Sequence, residues 1–242
     1  MSGKEGYHNR KLFIYSNIRN LLIYLTREPS RYDQIAPKIE YWIEYVLRED
    51  FLTVDELVEE VSHVAWDQGG GSFASVGRFL REFHDAPHRS KQARRFVTQM
   101  CSHLLRWFAI ASLEGAWNTS WHSACVSIGG GPGFIRAASF VGYLIEWGLL
   151  SHELVQQHLT KSLTNHMHGD DNRVESPGYI RANAIYQLFA AAGNTLLQGL
   201  LEPDDVQACF NMLDAWSRRG VVCNAAELEV QHIACDSVSP RA

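Results

Sequence analysis

The chain has 242 residues, 46% of them hydrophobic and 20% charged, which is enough for one substantial core or at most two small ones. A formal charge of −5 excludes a global electrostatic attraction to nucleic acid or anionic membrane, so binding of that kind needs a local patch. The five cysteines, Cys101, Cys125, Cys209, Cys223 and Cys235, are odd in number and form no C-x-x-C pair, and the amino terminus lacks a signal-peptide apolar run, so a reducing intracellular compartment is expected: cytoplasm, with the nucleus as the alternative.

Helical stripes follow one another with almost no period-2 alternation. Ile14, Ile18, Leu21, Leu22 and Leu25 predict a first helix, stopped at Glu28-Pro29-Ser30 because proline cannot continue it. Ile39, Trp42, Ile43 and Val46 predict a second. Thr53 and Glu56 have the spacing of a capping box ahead of a third, which carries Val54, Leu57, Val58, Val61, Val64 and Ala65 and ends at Gly69 to Gly71. Phe73, Val76, Leu80 and Phe83 predict a short fourth closed by Pro87. Phe96, Val97, Met100, Cys101, Leu104, Leu105, Phe108 and Ala111 predict a long fifth, followed by a Gly-rich connection from Gly115 to Gly133.

From Phe140 to Leu163 the chain reads as a helical hairpin. Phe140, Val141, Leu144, Ile145, Gly148 and Leu149 form one stripe, Ser151 is a candidate N-cap with Glu153 in the next first turn, and Leu154, Val155, His158 and Leu159 rebuild the stripe. Ser176-Pro177 opens an eighth helix through Ile180, Ala184, Ile185, Leu188 and Phe189 to Gly193, a candidate C′ glycine. Pro203 starts a ninth through Val206, Cys209, Phe210 and Leu213 to Gly220, and Ala225 to Ala234 a tenth. No apolar run approaches the roughly 18 residues of a membrane span, since Glu146 and His152 interrupt even the hairpin. The expected fold is all-α: one domain over residues 1–235 built as a HEAT-like solenoid of about five antiparallel helix pairs, with a disordered tail at 236–242. Without a strict sequence repeat, a globular helical bundle remains the alternative.

The segment IRAASFVGYLIEWGLLSHELVQQHLTKSLTN, Ile135 to Asn165, resembles the middle domain of the eukaryotic translation initiation scaffold, factor 4-gamma, with Phe140, Gly142, Leu144, Gly148, Leu149, Leu150 and Ser151 at matching positions. NAIYQLFAAAGN, Asn183 to Asn194, looks like that family's next helix, and Asp55 to Ala65 with Ser72 to Phe83 looks like its opening helices, so the resemblance covers roughly residues 33 to 215. It implies a right-handed stack of helix pairs and a role as a non-enzymatic adaptor in translation or mRNA metabolism, with a DEAD-box RNA helicase, RNA or another factor as partner. A homodimer is compatible with it. The loop before the hairpin, basic in the family, here reads GGGPGFIR with the single base Arg136, so helicase and RNA contacts do not transfer residue by residue.

An enzymatic alternative rests on VSIGGGPGF, Val126 to Phe134. An apolar strand followed by G-G-G-P-G resembles the first motif of S-adenosylmethionine-dependent methyltransferases, where glycines let the backbone approach the cofactor. A doubly wound sheet needs further strands and an acid closing the second of them, and only helices follow. The favoured reading is a connection whose Pro132 begins a helix, with no cofactor.

His166, His168, Asp170, Asp171 and Asn172 concentrate ligand types in one loop, but without the i, i+4 spacing that presents two imidazoles from one helical face, so no metal site is assigned. His84, Asp85 and His88 read as a solvated turn, His158 as a core or interface histidine, and Cys101 and Cys209 as buried thiols. G-x-S-x-G, H-E-x-x-H and P-loop motifs are absent from the sequence.

Charge is unevenly distributed. Seven acids and no Lys or Arg lie between Glu49 and Asp67, whereas Arg78, Arg81, Arg89, Lys91, Arg94 and Arg95 face only Glu82 and Asp85, a local net of +4. Clustered guanidinium groups suit phosphate or carboxylate, so these six bases are candidate partner or RNA contacts, the alternative being solvated faces that complement one another. Trp117 and Trp121, in the loop after the fifth helix, are further candidate contacts, with Trp107 assigned to the core.

Overall fold

The computed structural model describes residues 3–49, 53–66, 71–113, 130–160 and 177–193, with isolated positions beyond. Among these residues the chain is helical and no strand occurs. In chain order the helices are α1 (Gly3–Arg27), α2 (Tyr32–Arg48), α3 (Val54–Ser62), α4 (Ala74–Asp85), α5 (Lys91–Leu113), α6 (Gly130–Glu146), α7 (His152–Val155) and α8 (Pro177–Ala192). Short 3-10 turns precede α2 and follow α3, and α7 widens into a π-helical turn over Gln156–Thr160. The predicted ninth and tenth helices, and the tail at 236–242, lie outside the described segments.

The stripes read from periodicity are the core. Ile14, Ile18, Leu22 and Leu25 of α1, Ile39, Ile43 and Val46 of α2 and Leu57, Val58 and Val61 of α3 are buried together with Val76, Leu80 and Phe83 of α4 and with Phe96, Val97, Met100, Leu104 and Phe108 of α5. In chain order α1 packs on α3, α3 on α5 and α5 on α6, while α4 touches α1, α2, α5 and α6. Two aromatic pairs lock the later helices, Phe73 stacked on Phe140 at 4.5 Å between centroids and Phe108 on Phe134 at 5.1 Å.

Helix ends follow local chemistry. Thr53 caps α3 through its hydroxyl on the Glu56 N–H, and the Glu56 carboxylate accepts the Thr53 N–H in return, completing the expected capping box. That backbone hydrogen bond, with Lys11 nearby, holds the Glu56 carboxyl below its ordinary range. α2 begins at Tyr32, ahead of its first stripe residue Ile39, with Pro37 tolerated inside it on the exposed side, where the carbonyl it leaves unpaired can reach water.

The hairpin departs from the expectation in two ways. Gly148 is not part of the buried stripe: it is exposed, with φ +63°, and donates to the Ile145 carbonyl while Leu149 donates to that of Leu144, a Schellman end to α6. Ser151 then caps α7, accepting from the Leu154 N–H at 3.3 Å. The most extensive partner of α6 is α8, not the helix that follows it. Gly142 makes this close approach possible, since a Cβ there would lie 2.5 Å from the Leu188 carbonyl oxygen and 2.7 Å from the Ala191 Cβ. Gly193 ends α8 with φ +53°, as expected.

Candidate functional site

The six bases between Arg78 and Arg95 do not form one open surface. Arg78 pairs with Glu82 at 2.7 Å and lies over the Tyr32 ring at 4.1 Å. Tyr32 in turn donates to Glu82, and burial together with that carboxylate pushes its phenol well above the ordinary value. Burial pushes the Glu82 carboxyl up, but the hydrogen bonds from Tyr32 and Arg78 outweigh this and hold it low. Arg81 pairs with Asp85 at 2.7 Å and donates to the Gly148 carbonyl at 3.0 Å, tying α4 to the end of α6.

Arg89 departs furthest from the expectation of a solvent-facing block. Its side chain is 8% exposed, pairs with Glu40 and Glu44 of α2, and lies over the Phe83 ring at 4.5 Å. A planar guanidinium serves a carboxylate and an aromatic face at once, which explains why arginine suits the site. Lys91, Arg94 and Arg95 are exposed, Arg94 reaching the Ala86 and Pro87 carbonyls from the first turn of α5. Of the acids between Glu49 and Asp67, Glu49 pairs with Arg48 and Glu56 with Lys11 at 3.3 Å, while the partners of Arg89 come from α2. Arg136 is likewise internal, over the Phe73 ring at 4.8 Å and within reach of the Gly71 carbonyl. Trp117 and Trp121 lie outside the described residues.

A surface that the stripes did not reveal lies across α1 and α2. Leu12, Phe13 and Tyr41 are 49%, 62% and 60% exposed. Phe13 meets Trp42 edge-on at 6.4 Å, Trp42 meets Tyr41 and Tyr45 in the same manner, and Tyr41 stacks on Tyr45 at 6.1 Å. Arg10 donates to the Tyr45 hydroxyl at 2.5 Å. The available signal was apolar residues standing off the stripe: Phe13 is one position from Ile14, and Tyr41 lies between Ile39 and Ile43.

The second feature is a cleft of about 770 Å³ between α3 and α5. Asp55, Val58 and Glu59 line it from α3, and Gln99, His103 and Trp107, each four residues apart on α5, line it with Thr98, Ser102 and Arg106. Desolvation holds the His103 imidazolium below its ordinary value, with Glu59 opposing and His63 reinforcing. The Gln99 Oε1 is buried without a hydrogen-bond partner.

The remaining candidates carry no site among the described residues. Gly130 to Gly133 form the first turn of α6 rather than a loop after a strand. No group of three or more metal-ligating side chains occurs among the described residues, and the stretch from His166 to Asn172 lies outside them. Cys101 is fully buried and its thiol is pushed up to about 12, the inert apolar role expected of it. Cys125 and Cys209 lie outside the described residues. His84 bonds Asp85 at 2.9 Å in the last turn of α4, and His158 sits on the π-helical turn, its imidazolium held low by desolvation and by Arg106. No described helix is long and apolar enough to cross a membrane. Comparison of the chain with protein-family models, curated proteins and solved structures finds no match.

Proposed function

We propose that this chain is a non-enzymatic interaction adaptor, a HEAT-like stack of helix pairs that docks a protein partner in translation or mRNA metabolism, in the cytoplasm or nucleus. The observation that carries the reading is the aromatic face of α1 and α2, where Phe13 and Tyr41 are more than half exposed beside Trp42 and Tyr45. Contiguous exposed aromatic surface is uncommon on a monomer and has the composition of interface hot spots. The solenoid arrangement is supported by the order of contacts, with α1, α3, α5 and α6 each packed on the next. The role in translation rests on the resemblance of Ile135 to Asn165 to the initiation scaffold, and a DEAD-box helicase is the partner it favours.

Affinity purification from the native cell, with and without RNase, tests the reading when wild type is compared with a Phe13→Ala, Tyr41→Ala double variant of unchanged circular dichroism. An RNase-resistant helicase or translation factor should be retained by wild type and lost by the variant. Retention of the same proteins by both would remove the aromatic face from the account. An RNase-sensitive set would make RNA the primary partner.

A further inference from the structure

The cleft between α3 and α5 offers a different chemistry from the aromatic face and stands independently of it. Asp55 and Glu59 supply two carboxylates, against which Arg106 is the cation of the lining. Its charge also acts on His158 of the π-helical turn that packs on α5. His103, held below its ordinary value by desolvation, is neutral at neutral pH, so carboxylates outnumber cations in the cleft. Among the lining groups, the Gln99 Oε1 is buried and accepts no hydrogen bond, a standing free-energy cost that a ligand's donor would remove. Trp107 contributes an indole to the same lining, the aromatic ring that best receives a cation.

We propose that this cleft binds an arginine side chain of a partner polypeptide, paired by Asp55 and Glu59, with Gln99 Oε1 accepting one of its N–H groups against the Trp107 wall. A guanidinium matches the lining better than an ammonium does. It is planar and weakly hydrated, stacks on aromatic faces, and directs five donors in a fixed fork that can serve two carboxylates and an amide oxygen together. A lysine would reach the carboxylates but is more strongly hydrated and points fewer donors at fixed angles.

The test is a titration of the intact, ¹⁵N-labelled protein with Nα-acetyl-arginine amide, followed by NMR, alongside the citrulline and lysine analogues. Citrulline keeps the shape and loses the charge. Saturable shifts are expected at the Trp107 indole N–H and the Gln99 side-chain amide, with citrulline weaker by about tenfold or more, as loss of a charge-assisted contact implies. Glu59→Gln and Gln99→Ala should each weaken binding severalfold, and rising salt should weaken it further. Glu59 is exposed, so its substitution leaves the fold intact, and Glu49→Gln, outside the cleft, should change nothing.

Equal binding of citrulline or of lysine would overturn the assignment. So would shifts spread along the acidic segment without Trp107 and Gln99, or a titration that never saturates. A dimer of the free protein that Glu59→Gln dissociates would show that the cleft is filled by a second copy, and would overturn it as well.

Discussion

Arg89, at the turn before α5, is paired with Glu40 of α2, its side chain 8% exposed and its guanidinium 4.5 Å from the centre of the Phe83 ring. This contact joins α2 to the α4–α5 turn, so Arg89, read as surface charge, is spent inside the protein, while Lys91, Arg94 and Arg95 stay exposed. Arg89→Ala should cost ~2 kcal/mol, below the 3–5 typical of a broken fully buried pair because Glu40 keeps access to water. Lys91→Glu with Arg95→Glu should leave the denaturant midpoint nearly unchanged, since both are exposed and form no ion pair among the described residues. Urea unfolding of the two variants checks the contrast, and equal midpoints would contradict it.

Gly142 brings α6 onto α8, with the Leu188 carbonyl oxygen 2.5 Å from where a Cβ would be. The obstacle is backbone and cannot swing aside. Gly142→Ala should therefore destabilise by about 1–3 kcal/mol, as overpacking of a close contact does, although alanine is the better helix former. A melting temperature at or above wild type would mean that the two helices separate at little cost.

The core was legible because its signal is periodic. Residues of the first five stripes are buried, and Thr53 with Glu56, Ser151 and Gly193 act as the local caps their identities imply. Where sequence and structure part, a non-local contact decides. Gly148 fits the spacing of a stripe, but the left-handed end of α6 requires it outside. The Gly-rich run reads as a connection whose Pro132 begins a helix, and α6 starts two residues earlier, at Gly130.

Candidate sites were less legible because charge and aromaticity do not announce direction. Six neighbouring bases suggest a patch, but nothing local in sequence says that Glu40 and Glu44, some fifty residues away, will claim Arg89. Tyr41 and Phe13 went unnoticed because they break the stripes rather than extend them. The seven positions that carry the likeness to the initiation scaffold now have structural roles: Gly142 is a close approach, Gly148 a helix end, Ser151 a cap, and Phe140, Leu144 and Leu150 are buried with Leu149 packed against them. They account for shape and leave the partner to other surfaces.

The hairpin should respond unequally to deletion of its leucines. Leu144 is fully buried, so Leu144→Ala should cost about 2–5 kcal/mol, a large share of a stability of about 5–15 kcal/mol. Leu149, only partly buried as the residue after the C′ glycine, should cost less. Gly148→Ala should cost roughly 1 kcal/mol from left-handed strain alone, since the nearest atom to an added Cβ is the end of the Arg81 side chain at 3.7 Å. Thermal melts of the three variants should rank them in that order, and a Leu149→Ala variant less stable than Leu144→Ala would misplace the α6 stripe.

Stability should also fall as pH drops from 7.5 to 5.5, ahead of the carboxylates that the fold holds low. Desolvation lowers the His103 imidazolium from its ordinary 6.5, and desolvation with Arg106 lowers that of His158. The unfolded chain therefore takes up these two protons at a higher pH than the folded one. Wherever the unfolded state binds more protons, stability increases with pH, so it declines from about 6.5 down to the depressed folded values. A second loss should set in below 4.5, where Glu56 and Glu82, held low by hydrogen bonds in the fold, begin to protonate in the unfolded chain. Urea unfolding at pH 7.5 and 5.5 checks the first window, and a His103→Gln, His158→Gln double variant should flatten it while leaving the acid limb in place. If the double variant loses as much stability over that interval as wild type does, the proton uptake belongs to other groups and the desolvation of His103 in the α3–α5 cleft is not what sets it.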